Sequence, residues 1–259
     1  MPSPEKVILE TTSHDTIELA HAPGDGPIVV LLHGASGNAN TWLSPLEAWS
    51  WADVWCPDLP GRGGNSASAL DSVEALADWA ADVLDAIPST KPKILVGHSL
   101  GGGVALMLGL RHPASVNGIV MASSSARLRV APKILDAVAN STPEEPFELD
   151  FAFGPSTEQD IITTYARAAR STPPGSALAD WRACDAFDVR EQSSALSLPL
   201  LVAYGDEDVL TPAKYQGLLA DAFEDAERAE ITGAGHMLPW EKPTELSSNV
   251  EAWVKRRLL

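Results

Sequence analysis

The chain has 259 residues, 45% of them hydrophobic and 20% charged, which is enough apolar material for one sizeable core near the upper size of a single domain. Its 18 basic residues stand against 35 acidic ones, a net charge of −17 that excludes the basic face needed to grip a nucleic-acid backbone or an anionic membrane surface. The two cysteines, Cys56 and Cys184, cannot build a disulfide framework and form no Cys-x-x-Cys pair, so the expected setting is a reducing cytoplasm.

The opening residues Met-Pro-Ser-Pro-Glu-Lys have neither the basic start nor the apolar stretch of a secretory signal. Strand-length apolar runs follow at 6–10, 16–20, 28–32 and 53–56, far shorter than a bilayer crossing requires. The first two lie close together with no helix between them, which predicts an antiparallel edge hairpin. Residues 71–87 predict an amphipathic helix: Val73, Leu76, Ala77, Ala80, Val83, Leu84 and Ile87 keep a 3.6-residue spacing, with Ser72 near the start. A strand at 94–96, a helical run at 104–110 and a strand at 116–122 come next. The proline-rich stretch 127–190 breaks the rhythm with helical pieces at 133–139 and 161–170, and predicts a helical cap inserted after the sixth strand. Strands at 200–204 and 229–232 follow. A last helix opens at Pro243, carries Leu246, Val250, Trp253 and Val254 on one side, and ends in Lys255, Arg256 and Arg257, cations that suit the negative end of its dipole. Strands alternating with helices predict an α/β fold, a mostly parallel eight-stranded sheet with helices on both faces. The core is then 1–126 with 191–259, and the cap 127–190.

The strongest local signal is Gly97-His98-Ser99-Leu100-Gly101, a Gly-x-Ser-x-Gly lying directly between a strand and a helical run. A serine at so sharp a turn has its hydroxyl exposed, and the helix behind it aims N-terminal amides at the site. A hydroxyl at its ordinary pKa is a poor nucleophile and needs a base that accepts its proton near neutrality. Of the six histidines, His14, His21, His33, His98, His112 and His236, the last lies in Gly233-Ala234-Gly235-His236, a glycine-flanked loop after the final strand. The orienting carboxylate is expected after strand 200–204, where Asp206, Glu207 and Asp208 are all candidates.

Taken together these motifs resemble the α/β-hydrolase superfamily over nearly the whole chain. His33-Gly34-Ala35-Ser36-Gly37 resembles the family's His-Gly oxyanion segment, and the run from Pro57 to Ser66 its Asp-x-x-Gly-x-Gly-x-Ser loop, here with one extra residue between Asp58 and Ser66. The run from Gly205 to Pro212 resembles the acid loop Gly-x-x-Asp-x-x-x-Pro, which selects Asp208. The resemblance implies Ser99 as nucleophile, His236 as general base and acid, Asp208 as orienting acid, and the backbone N–H groups of Ala35 and Leu100 as the oxyanion hole. His33 and His98 are then structural, and Trp42 and Trp240 form core or pocket wall.

A serine at the elbow suits attack on an acyl carbon. The expected function is therefore a carboxylesterase acting on small to medium esters. Lactone, thioester or carbon–carbon bond hydrolysis by the same residues, or a non-turnover small-molecule receptor, are the alternatives. Neither metal nor cofactor is expected, and the expected partner is a small-molecule ester with no nucleic acid or membrane. The cap stretch 127–190 holds seven basic and ten acidic residues. Its Arg127, with Arg129, Lys133, Arg167, Arg170 and Arg182, is a candidate contact for an anionic substrate group.

Overall fold

The computed structural model of the protein describes residues 4–11 and 16–259. Eight strands, β1 (Glu5–Glu10), β2 (Thr16–Ala22), β3 (Ile28–Leu32), β4 (Asp53–Cys56), β5 (Lys93–His98), β6 (Gly118–Ala122), β7 (Leu200–Gly205) and β8 (Ala226–Ile231), form one sheet in the order β1-β2-β4-β3-β5-β6-β7-β8. The expected edge hairpin is present, with Val7 opposite Leu19, and β2 also runs antiparallel to β4. Every pairing from β4 to β8 is parallel. β8 begins three residues before the expected run because Glu227, Arg228 and Glu230 interrupt its apolar pattern. As the last strand of the sheet it keeps charges, and Glu227 pairs with Arg256 and Arg257.

The helices are α1 (Asn40–Leu43), α2 (Val73–Ala86), α3 (Leu100–Arg111), α4 (Pro132–Ala139), α5 (Gln159–Ala169), α6 (Pro174–Ala186), α7 (Ala213–Ala222), α8 (Leu238–Glu241) and α9 (Pro243–Arg257). The period-two alternation of a strand sorts β3 between two cores: Ile28, Val30 and Leu32 face α2 and α3, while Val29 and Leu31 face Trp42, Trp49, Val250 and Trp253. Each such fully buried aliphatic side chain contributes roughly 1.5–3 kcal/mol. Ser72 caps α2, its Oγ accepting the Ala75 N–H at 3.2 Å.

β3 has β4 on one side and β5 on the other, so the connections leaving their ends diverge. In a parallel sheet this reversal leaves a crevice beyond the carboxyl ends of the strands. The segment between β6 and β7 lies over that end. Its two roots meet at an Arg127–Asp188 bridge, with the Val189 N–H donating to Ala126 O at 2.9 Å. α5 rests on α1 and α8, and α6 on α3 and α4. Among the described residues no helix is long and apolar enough to cross a membrane.

Candidate active site

Ser99 stands between β5 and α3 with φ 52° and ψ −114°, a conformation that L-residues rarely adopt and that stores about 1–3 kcal/mol of strain. The surroundings hold it there. Its N–H donates to Ala122 O, and its carbonyl accepts from the Gly102 and Gly103 N–H groups and from Ser124 Oγ at 2.7 Å. The turn is so tight that a Cβ on Gly97 would lie 1.9 Å from Gly101 O, and one on Gly101 2.5 Å from Leu32 O, which explains the glycines of the motif. Ser99 itself remains partly exposed.

Ser99 Oγ lies 2.9 Å from His236 Nε2, and His236 Nδ1 lies 3.0 and 3.2 Å from the two Asp208 oxygens. A carboxylate can only accept here, so Nδ1 carries the proton and Nε2 offers its lone pair to the serine hydroxyl. The Asp208 carboxylate also accepts the Leu210 and Thr211 N–H groups at 2.8 Å and the Thr211 hydroxyl at 2.7 Å, with Gln216 Nε2 at 3.4 Å. Burial pushes this carboxyl up, but the charge and hydrogen bond of His236 together with the Thr211 hydrogen bonds outweigh it and leave Asp208 below its ordinary value. Of the other two acids, Asp206 is exposed and accepts the Gly233 N–H, and Glu207 has its Oε2 buried without a hydrogen-bond partner among the described residues. The His236 loop is held from the inserted segment. The His236 N–H donates to Ala152 O at 2.9 Å, while Glu241 Oε2 gathers the Gly154 N–H, the Thr157 hydroxyl and the Gly235 N–H.

The His33–Gly37 turn follows β3 and abuts the serine, since a Cβ on Gly34 would lie 3.2 Å from Ser99 Cβ. Among the described residues neither the Ala35 nor the Leu100 N–H has a protein acceptor, so both are available to a developing negative charge. His33 Nδ1 donates to Gly34 O at 2.9 Å and its Nε2 accepts the Leu59 N–H at 3.1 Å, tying this turn to the Asp58 loop. Asp58 in turn accepts the Ala39 and Gly64 N–H groups. Arg62 and Asn65 of that loop close a tight turn, each N–H donating to the other's carbonyl. His98 Nε2 donates to His236 O at 2.8 Å beneath the elbow. Trp42 is buried edge-on to Trp49, and Trp240 edge-on to Tyr165 with its Nε1 donating to Thr41 O.

Burial, aided by the Arg62 charge, holds His33 down to about 3, and burial with the neighbouring His236 does the same for His98. Unfolded, these imidazoles would titrate near 6.5. The unfolded chain therefore binds more protons below that value, and stability present above pH 6.5 is lost as pH falls towards 3. The thermal midpoint should accordingly be level above neutrality and decline through this window, with a shallower decline in His98→Gln. An unchanged slope in that variant would remove His98 from the account.

Arg127 lies at the root of the inserted segment, with its Nε 3.5 Å from Asp188. It borders a cavity of about 590 Å³ together with Arg129, Arg190, Tyr215 and Thr211. A second cavity of about 400 Å³ lies between α5, the start of α6 and Phe147, with Ser36 on its wall and Arg167 and Arg170 at its side. Lys133 and Arg182 are exposed. His14 lies outside the described residues. Among the described residues no three His, Cys, Asp or Glu side chains are placed to hold a metal ion.

The sequence motifs did not single out Thr211, Gln216, Ser124, Asp180 or Trp181. Thr211 carried a signal, since an aspartate three residues before a threonine can close a side-chain turn on its own loop. Asp180 and Trp181 carried none, being 144 and 145 residues from their partner Ser36.

The alpha/beta hydrolase family model matches residues 29–248. The chain belongs to the alpha/beta hydrolase family. It is 32% identical over 238 residues to the pimeloyl-acyl-carrier protein methyl ester esterase of Vibrio atlanticus, covering 83% of this chain and 90% of that one. It is 34% identical over 233 residues to a chain provisionally named a carbamate hydrolase in Variovorax paradoxus, covering 83% and 87%. An esterase from Thermogutta terrifontis superposes with a TM-score of 0.84 at 24% identity over 98% of this chain and 100% of that one, which shows that the family fold is shared.

Proposed function

We propose that this member of the family is a serine hydrolase that cleaves carboxylic esters of small to medium size through an acyl-enzyme. The observation that carries the reading is the unbroken line from Ser99 Oγ through the His236 imidazole to Asp208, at 2.9 and 3.0 Å, beside two unengaged amides. Ser99 Oγ attacks the ester carbonyl as His236 Nε2 takes its proton. The Ala35 and Leu100 amides hold the oxyanion, each worth roughly 3–4 kcal/mol at the transition state. The imidazolium, steadied by Asp208, returns its proton to the departing alkoxide. Water attacks the acyl carbon with His236 again as base, and collapse releases the acid and restores Ser99. The name of the Vibrio relative, a methyl ester esterase, supports an ester as the bond class.

In this reading the stretch 127–190 acts as a cap over the crevice, the substrate is a small-molecule ester met in the cytoplasm, and no cofactor takes part. Arg127 is assigned to an anionic substrate group. Turnover of p-nitrophenyl esters from acetate to octanoate tests the reaction class. Absence of ester turnover, with turnover of lactones, thioesters or carbon–carbon substrates, would replace it. Arg127→Ala should raise KM for p-nitrophenyl monoglutarate and spare the butyrate; equal effects on both would remove Arg127 from the site.

A further inference from the structure

The Ala35 N–H can serve as an oxyanion donor only if the peptide that carries it is held in one orientation. That N–H is trans to the Gly34 carbonyl of the same planar peptide, so whatever fixes Gly34 O fixes the donor. Gly34 O accepts from His33 Nδ1 at 2.9 Å and from the Gly37 N–H at 3.0 Å. Gly37 is thus a lever on the donor, and between them lies Ser36 at φ 61°, a left-handed residue with a Cβ that persists only when its surroundings impose it.

The groups that impose it come from the inserted segment. The Ser36 N–H donates to Asp180 Oδ2 at 3.0 Å, and Ser36 Oγ accepts from Trp181 Nε1 at 2.8 Å, so two consecutive residues of α6 hold the amide and the hydroxyl of one residue. Gly37 O accepts from Thr172 Oγ1 at 2.8 Å and from Arg62 Nη1 at 3.1 Å. Arg62 also grips Asp180 with both terminal nitrogens, at 2.6 and 2.7 Å, with side chains only 1% and 0% exposed. A fully buried ion pair recovers little net stability after its desolvation, so fixing one arrangement is the better account of this one.

We propose that Asp180, locked by Arg62, is a positioning residue for the oxyanion donor, so that the inserted segment is part of the catalytic machinery and hydrolysis requires α6 to be docked on the Ser36–Gly37 turn. The inference rests on the serine-hydrolase reading above. It predicts that undoing the clasp lowers kcat with little change in KM, because the substrate ground state does not use the donor as the tetrahedral intermediate does.

The test uses the full chain, p-nitrophenyl butyrate for kcat and KM, phenylboronic acid as a tetrahedral mimic, and a p-nitrophenyl phosphonate whose adduct on Ser99 is read by mass. Asp180→Leu with Arg62→Met replaces the pair by apolar groups and leaves no buried unpaired charge. In the folded double variant kcat should fall about ten- to hundredfold and boronate affinity by the same factor, with KM within about twofold. If the double variant does not fold, Ser36→Ala removes only the hydroxyl that accepts the Trp181 indole N–H, and kcat and boronate affinity should fall together by about threefold. Wild-type kcat in a folded clasp variant, or a fall in kcat with boronate affinity intact, would overturn the proposal while the serine reading stands. If the wild-type chain takes up no phosphonate on Ser99, the serine reading falls and the proposal with it.

Discussion

Ser99→Ala is expected to lower kcat towards p-nitrophenyl butyrate by about 10⁶-fold, leaving only what the oxyanion amides and binding supply. Among the described residues, the two serine hydroxyls directly after β6 cannot take over. Ser123, also at positive φ after a strand, is fully buried, and the Ser124 hydroxyl is spent on the Ser99 carbonyl. The fold should survive, because the bonds that hold residue 99 in its turn are made by its backbone. A loss of activity accompanied by a lowered thermal midpoint would therefore not count, whereas ester turnover at the wild-type rate by a folded variant would refute the serine mechanism.

Asp208→Asn should lower kcat by about 10⁴-fold with the fold intact. An amide at this position can turn its NH₂ towards His236 Nδ1, which drives the imidazole proton to Nε2 and leaves no lone pair for Ser99. The Thr211 hydroxyl, 3.3 Å from Nδ1 and bound to Asp208, cannot compensate because it brings no negative charge. Asp206→Asn is the matched control: that side chain is exposed and accepts the Gly233 N–H, away from the imidazole, so its loss should change kcat less than about tenfold. The reverse ranking would show that the acid is wrongly placed.

The parts of the site carried by short motifs were legible because each sits at a strand end and the sheet itself brings the ends together. Ser99, Asp208 and His236, taken from three loops, meet within hydrogen-bonding distance. The strands were legible as apolar runs, but their order was not. The placement of β4 between β2 and β3 depends on pairing that no local pattern encodes. α6 escaped notice for a different reason. Its inward face carries Ser176, Asp180 and Trp181 as well as alanines, since it docks on polar atoms of Arg62 and Ser36, and a buried aspartate erases the hydrophobic period that would reveal a helix. The extra residue of the Asp58 loop was visible, but the aim of Arg62 at Asp180 was not, since that partner lies 118 residues away.

The Glu241 carboxylate and the Ala152 carbonyl bear on how such a chain can change. Glu241 joins Gly154 and Thr157 of the inserted segment to Gly235, and Ala152 O takes the amide of the histidine itself. A segment with roots as close as Arg127 and Asp188 looks like a part that could be exchanged as a unit. These bonds make it otherwise. A transplanted segment must bring acceptors and donors for the histidine loop, so exchanging the whole segment would disturb His236 along with whatever else it changed.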